Sequence, residues 1–397
     1  MKQTDSAIEE LAFKALDSFK IEIPSWGFAN TGTRFGKFVQ AAAASTIEEK
    51  FADAAQVLQL TGSTPTLALH VLWDLPGGMA DVAEVQALEK QYGVRAGSIN
   101  PNLFQDQEYK FGSLCNPSEE IRQHAVDHVL HSIEIAKKLG CRDLSLWLPD
   151  GSNYPGTQSI RKRIGWLEEA LRTTHNHLAP NQRLLIEYKP FEPAFYHTDI
   201  ADWGMSSHLA RTAGPQARVL VDTGHHYSSQ NIEQIVAWLL HTGLLGGFHF
   251  NDRRYADDDL TLGSIDPYQI FRIFFEIHSG LAEGLSSDVA FMIDQSHNLK
   301  GKIEATVQTV VTAQELWLKA ALVNRELLAA HQQSCDLMDA EELYRGTFWQ
   351  DVRPLTAAWR VARGLPADPL AALRESGYVE RIGRERGSRG SAVGSYA

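Results

Sequence analysis

Short apolar runs alternate with longer amphipathic stretches along this 397-residue chain. The runs are KIEIPSWGF (20–28), TLALHVLWDL (66–75), VRAGSIN (94–100), DLSLWLPD (143–150), RLLIEYKP (183–190), RVLVDTG (218–224), GGFHFND (246–252) and VAFMIDQS (289–296). Most have strand length and are too apolar to leave one face wet. The segments between them have helical period. PSEEIRQHAVDHVLHSIEIAKKLG (117–140) lines up Ile121, Val129, Ile133 and Ile135 and stops at Gly140, and NIEQIVAWLLHTG (231–243) reads the same way. Eight β-then-α units predict an α/β chain closed into a parallel (β/α)8 TIM barrel, with an open doubly wound sheet as the alternative.

The barrel is expected over 15–333. A helical extension follows at 334–380, broken at Pro354 and Pro366. Its Leu337, Leu343, Phe348, Trp349, Leu355 and Trp359 are too many apolar side chains to leave in water, so they cap the barrel or clasp a second subunit. Residues 381–397 are basic, polar and rich in Gly and Ser, the composition of a disordered tail.

Composition narrows the function. Lys and Arg number 37 against 49 Asp and Glu, a formal charge of −12 that repels nucleic-acid phosphates and anionic lipid and leaves a small neutral molecule or a cation as the natural partner. Cys115, Cys141 and Cys335 are odd in number and far apart, which fits a reducing cytoplasm and no disulfide framework. The first 20 residues carry charges throughout, and no run of about 18 apolar residues suggests a membrane span.

Polar residues at strand ends supply the chemistry. Four consecutive strands finish on a potential metal ligand: Glu187, Asp222, His249 and Asp294. In a parallel barrel the carboxyl ends of the strands converge on the active site. Three carboxylates and an imidazole facing one axis repel one another unless a cation lies between them. Capping explains a single strand-terminal Asp, but four equivalent positions would not select Glu and His as caps. His225, three residues after Asp222, and the loop carboxylates Asp257 and Asp259 form either a second cation site with Asp222 or a solvated acidic loop. His226 reads as core or outer shell, with an exchange of roles with His225 left open. Lys189 shares the strand parity of Glu187 and so faces the mouth, either to stabilise charge or as an ion-pair partner of the acids. His70 and Trp147, near the tops of their strands, line a pocket or pack in the core. His124, His128 and His131 share a helix face without an HExxH pattern and read as a wet surface. Gly27, Gly32 and Gly36 lack the GK[ST] of a phosphate loop.

Taken together, Glu187-Tyr-Lys189-Pro, Asp222-Thr-Gly-His225, Phe-His249-Phe-Asn-Asp, Asp257-Asp-Asp259 and Ile-Asp294-Gln-Ser resemble the L-rhamnose isomerase family, in its broad-specificity bacterial branch, over roughly residues 15–330. The resemblance implies a metal-dependent aldose–ketose isomerase of carbohydrate metabolism that interconverts L-rhamnose and related aldoses with 2-ketoses such as L-rhamnulose. It implies two divalent ions, Mn²⁺ foremost, with Mg²⁺, Co²⁺ or Zn²⁺ as alternatives. Glu187, Asp222, His249 and Asp294 would hold one ion, and His225, Asp257 and Asp259 would contribute to the other. Lys189, Asp222 and Asp294 would be catalytic. His70, Trp147, Phe35, Glu187 and Lys189 would contact the sugar, Phe35 from an aromatic loop that also carries Trp26, Phe28 and Phe38. The expected assembly is a cytoplasmic homo-oligomer, a tetramer. The competing expectations are a ketose 3-epimerase on a similar barrel and a zinc-dependent DNA-repair endonuclease, the latter opposed by the net charge.

Overall fold

The computed structural model describes residues 2–387, apart from 31, 34, 35, 38, 193–195, 256, 286–287 and 297–298. Eight parallel strands run in chain order around a barrel: β1 (Ile23–Pro24), β2 (Thr66–His70), β3 (Arg95–Asn100), β4 (Asp143–Leu146), β5 (Arg183–Glu187), β6 (Ala217–Asp222), β7 (Leu245–Phe250) and β8 (Ala290–Ile293). Six fall inside one of the eight apolar runs, and β6 and β7 start one residue before theirs, at Ala217 and Leu245. The barrel closes through a parallel bridge between Glu22 and Met292, in which the Glu22 N–H donates to the Phe291 carbonyl (2.8 Å) and the Ile293 N–H to the Glu22 carbonyl (2.9 Å). That closure decides for the barrel over the open sheet.

The side-chain period of two along a strand sets up the site. Leu185, Leu220 and Met292 form a small apolar cluster of their own. Two residues further along each strand direction stand Glu187, Asp222 and Asp294, so an apolar layer underlies an ionisable one. On β7 the outward Phe248 and Phe250 join Phe274 and Phe291 in the aromatic packing beneath the outer helices, which leaves His249 facing the opposite way. Lower in the barrel Glu22 is buried and accepts hydrogen bonds from the Ser98 amide (3.0 Å) and hydroxyl (2.5 Å). Gly97 permits this, because a Cβ there would lie 1.5 Å from Glu22 Oε2.

The helices have local causes in the sequence. Ile47–Thr61 starts on Thr46, whose hydroxyl accepts from the Glu49 amide, and ends on Gly62 at φ +72°. Pro267–Ala282 has Asp266 as N-cap and Pro in its first turn. A helix at Lys2–Ser18 precedes β1 and packs on Lys302–Ala321 and Arg353–Ala362.

Past the barrel the chain forms helices Arg325–Gln333, Leu337–Trp349, Arg353–Ala362, Pro369–Glu375 and Tyr378–Arg386. They fold back along the outside of the chain's own barrel. Phe348 packs against Tyr268 and Phe271, and the fully buried Trp359 donates its indole N–H to Asp17 (3.1 Å). Leu343 and Leu355 are half-buried against the core, whereas Leu337, Met338 and Trp349 are exposed. The tail expected from 381 starts later, because residues up to Arg386 are helical. Arg386 is buried and donates to both oxygens of Asp53 (2.7 and 2.8 Å), and Tyr378 donates its hydroxyl to the same carboxylate (2.8 Å), which pins this last helix in place. Residues 388–397 lie outside the described residues, as does Phe35 with its expected sugar contact. Among the described residues, no helix is long and apolar enough to cross a membrane.

Candidate metal centre

Two groups of ligand atoms lie at the carboxyl ends of β5–β8. Glu187, Asp222, His249 and Asp294 each place one ligand atom within 4.8 Å of all the others, and Asp222, His225 and Asp257 do the same. Asp222 belongs to both groups. Glu187 spans them as well, with Oε1 3.2 Å from His225 Nδ1 and Oε2 3.2 Å from His249 Nδ1. His225 Nε2 lies 3.3 Å from Asp257 Oδ1 and 4.0 Å from Asp222 Oδ2. His249 Nδ1 is also 3.7 Å from Asp294 Oδ2. Asp259 is outside both groups. It sits at φ +47° beside Asp257, to which it hydrogen-bonds.

Backbone and side-chain donors fix these ligands from behind. Asp222 Oδ1 accepts from the Gly224 N–H (2.6 Å) and the Asn251 amide (2.9 Å), which also reaches Oδ2 (3.2 Å), and Oδ2 is the oxygen that faces His225. His225 Nδ1 lies 3.0 Å from the Tyr188 carbonyl; an N–H donated there leaves Nε2 as the nitrogen turned to Asp257 and Asp222. His226 turns away. Its Nε2 is 2.7 Å from the Tyr188 hydroxyl, and burial, then the positive Arg253 and His225, hold its pKa down to about 3. The open choice between the two histidines is thereby settled in favour of His225 at the cluster.

The electrostatics are those of a site that wants positive charge. Burial pushes Asp222 up to about 7, helped by Glu187, Asp257 and Asp294 and opposed by His225. Burial raises Asp294 and Asp259 too, the latter well above the carboxylate range, with neighbouring carboxylates adding to the shift. Both imidazoles are raised as well, by the carboxylates around them. Burial opposes their charge, yet Glu187 and then Asp294 and Asp222 push His249 up to about 9, and Asp222 and Asp257 raise His225 well above its usual value. Burial likewise opposes the Glu187 charge, but the two imidazoles hold it down to about 2. Protons on the histidines and acids thus neutralise a cluster of five carboxyl groups. His249 Nδ1 and Asp257 Oδ1 are buried with no well-formed hydrogen bond, which fits ligand atoms aimed at a cation rather than at protein.

A pocket wall stands over the cluster. Lys189 donates to Asp257 Oδ2 (2.7 Å) and lies 5.3 Å over the Trp147 ring. Phe104 packs on Trp147 (5.0 Å) and on His70 (5.8 Å), and His70 lies between Trp26 (4.8 Å) and Trp73 (4.1 Å). Burial lowers His70 to about 4, against the pull of Asp74, so its ring is neutral; its Nδ1 and the Trp147 Nε1 are buried without partners. On the third outer helix His128 Nε2 accepts the Asn102 amide and His124 pairs with Glu108, so that histidine face is structural.

Asn251 and Trp26 have roles that the sequence reading did not assign. Asn251 has the strand parity of His249, a signal that would have found it. Trp26, read as a loop aromatic, donates its indole N–H to Asp294 Oδ1 (2.9 Å). No local pattern marks that contact, which joins residues at opposite ends of the barrel sequence.

A family model described as a xylose isomerase-like TIM barrel matches residues 57–281, which covers β2 to β7 and their helices. This chain belongs to the xylose isomerase-like TIM barrel family. As a member of it, the chain is 38% identical over 386 residues to a probable sugar isomerase of Mesorhizobium japonicum (strain LMG 29417 / CECT 9101 / MAFF 303099), covering 96% of this chain and 89% of that protein. It is 37% identical over 375 residues to a probable sugar isomerase of Rhizobium meliloti (strain 1021), covering 93% and 86%. Among solved structures, an L-ribulose 3-epimerase superposes with a TM-score of 0.55 at 13% identity, covering 78% of this chain and 98% of that one, a likeness of fold.

Proposed function

We propose that this xylose isomerase-like barrel is a metal-dependent aldose–ketose isomerase acting on L-rhamnose and related free aldoses. The observation that carries the reading is the pair of ligand groups sharing Asp222 beneath an aromatic wall and one lysine. The names of the two probable sugar isomerases, similar over nearly the whole chain, support it. Mn²⁺ is the ion best suited to oxygen-rich ligation with one imidazole per group, with Mg²⁺ and Co²⁺ next and Zn²⁺ as a further alternative. Glu187, Asp222, His249 and Asp294 would hold one ion; Asp222, His225 and Asp257 would hold the other, with Asp259 beside them. When bound, the ions supply Lewis-acid polarisation of the two adjacent sugar oxygens.

The chain's own residues do the rest. The Lys189 ammonium, fixed between Asp257 and the Trp147 face, stabilises negative charge developing on the sugar's O1. Neutral His70 offers a ring nitrogen to a sugar hydroxyl. Trp26, Trp73, Phe104 and Trp147 exclude water from the reacting carbons while hydrogen moves between C2 and C1. Asp222 and Asp294 take the acid–base roles. Leu337, Met338 and Trp349, exposed on the extension, support assembly with further copies, read here as a tetramer in the cytoplasm.

The test is a panel of L-rhamnose, L-mannose, L-lyxose and D-allose, with the ketose L-rhamnulose beside them, incubated with chelator-treated protein before and after Mn²⁺ is restored. The 2-ketose should form only with the metal. Full turnover by the stripped protein, or a 3-epimer as the product of a ketose, would overturn the reading in favour of a metal-free reaction or of an epimerase.

A further inference from the structure

We infer that Trp26 is a positioning residue of the four-ligand group, whose indole N–H decides which oxygen of Asp294 meets a cation. The inference rests on the metal-dependent reading above and goes further in assigning a residue outside the ligand set.

Trp26 lies in the single turn Ser25–Phe28 after β1, and Asp294 follows β8 directly. These are the first and last strands, which meet where the barrel closes at Glu22 and Met292. Asp294 is the most exposed member of its group, with about a quarter of its side chain reached by solvent (24%), and Glu187 and Asp257 repel it. Left alone, a carboxylate in that position turns towards water. The Trp26 N–H engages Oδ1 at 2.9 Å and leaves Oδ2 directed at the group, 3.7 Å from His249 Nδ1. The donor is itself held. The Trp26 ring packs edge-on against His70 at 4.8 Å and against Trp73 at 6.5 Å. The N–H that holds Asp294 thus comes from a ring seated in the wall of the substrate pocket.

Trp26→Phe removes the N–H and keeps an aromatic ring. Trp73→Phe is the matched control, because the Trp73 N–H donates to Gln105 (2.6 Å), which is no ligand. Metal-free wild type and both variants are compared by thermal unfolding and by Mn²⁺ competition against a chelating dye. Trp26→Phe should bind Mn²⁺ about 10- to 100-fold more weakly, the usual cost of losing a partner behind a ligand, with the melting point of the metal-free protein unmoved and with activity regained at excess Mn²⁺. Trp73→Phe should bind as wild type does. Mn²⁺ affinity unchanged in Trp26→Phe, with or without a fall in melting point, overturns the assignment, as does an equal loss in Trp73→Phe. A wild-type protein that binds no Mn²⁺ overturns this inference and the proposed function together, whereas tight wild-type binding with an unaffected Trp26→Phe overturns this inference alone.

Discussion

Titrating the metal-free protein with Mn²⁺ between pH 6 and 9 should release protons, and the structure sets their number. An imidazole ligates only when neutral. In the metal-free protein burial works against charge on His249, but Glu187, Asp294 and Asp222 together push it up to about 9. At pH 7 that ring is protonated, and removing the proton costs roughly 3 kcal/mol, on the order of two pH units. Apparent affinity at the four-ligand group should therefore be about 100-fold weaker at pH 7 than above pH 9. His225, raised well above its usual value by Asp222 and Asp257 against the effect of burial, adds the same sign at the second group. Because the raised pKa values belong to the free protein, protons compete below them. Affinity climbs with pH and levels off once the free histidines are neutral. Calorimetry in two buffers of different ionisation heat counts the protons directly. At least about two should leave per doubly loaded chain at pH 7, one from each histidine, and Asp222, raised by burial to about 7, adds about half of one more when it ligates. Release of fewer than about half a proton, or affinity flat from pH 6 to 9, would refute imidazole ligation at these positions.

Three further outcomes are expected. Lys189→Met should retain its Mn²⁺ yet lose about 100-fold or more in kcat; wild-type turnover would reduce Lys189 to an ion-pair partner of Asp257. Gly97→Ala drives a methyl to within 1.5 Å of Glu22 Oε2 and disrupts its bonds to Ser98. It should cost about 3–5 kcal/mol in denaturant unfolding, as overpacking and lost charge-assisted hydrogen bonds add, and Glu22→Ala in the same chain should recover part of that; a single-variant loss under about 1 kcal/mol contradicts the packing argument. Asp53→Ala leaves buried Arg386 with the more distant Glu49 carboxylate (3.7 Å) as its ion-pair partner, at about 3–5 kcal/mol, so limited proteolysis should cut within Tyr378–Arg386, and a digest identical to wild type would show that another contact holds that helix.

Local pattern and tertiary contact divide the protein between them. Eight strands, the helices between them and the ionisable side chain at the end of each of β5–β8 were legible in the chain, because strand periodicity and strand-end placement are properties of a few consecutive residues. Glu187, Asp222, His249 and Asp294 stand out for that reason. The choice of His225 over His226 needed the Tyr188 carbonyl and hydroxyl, 37 and 38 residues earlier in the chain, to sort two adjacent rings. The last helix looked like a basic tail because its anchor, Asp53, lies 333 residues from Arg386. Trp26 and Asp294 are 268 residues apart and meet across the closure of the barrel. Composition and period thus determined which segments form the wall and which side chains crown it. Barrel closure decided which of those side chains face one another, because a hydrogen bond or a shared charge depends on distances in space that spacing along the chain does not encode.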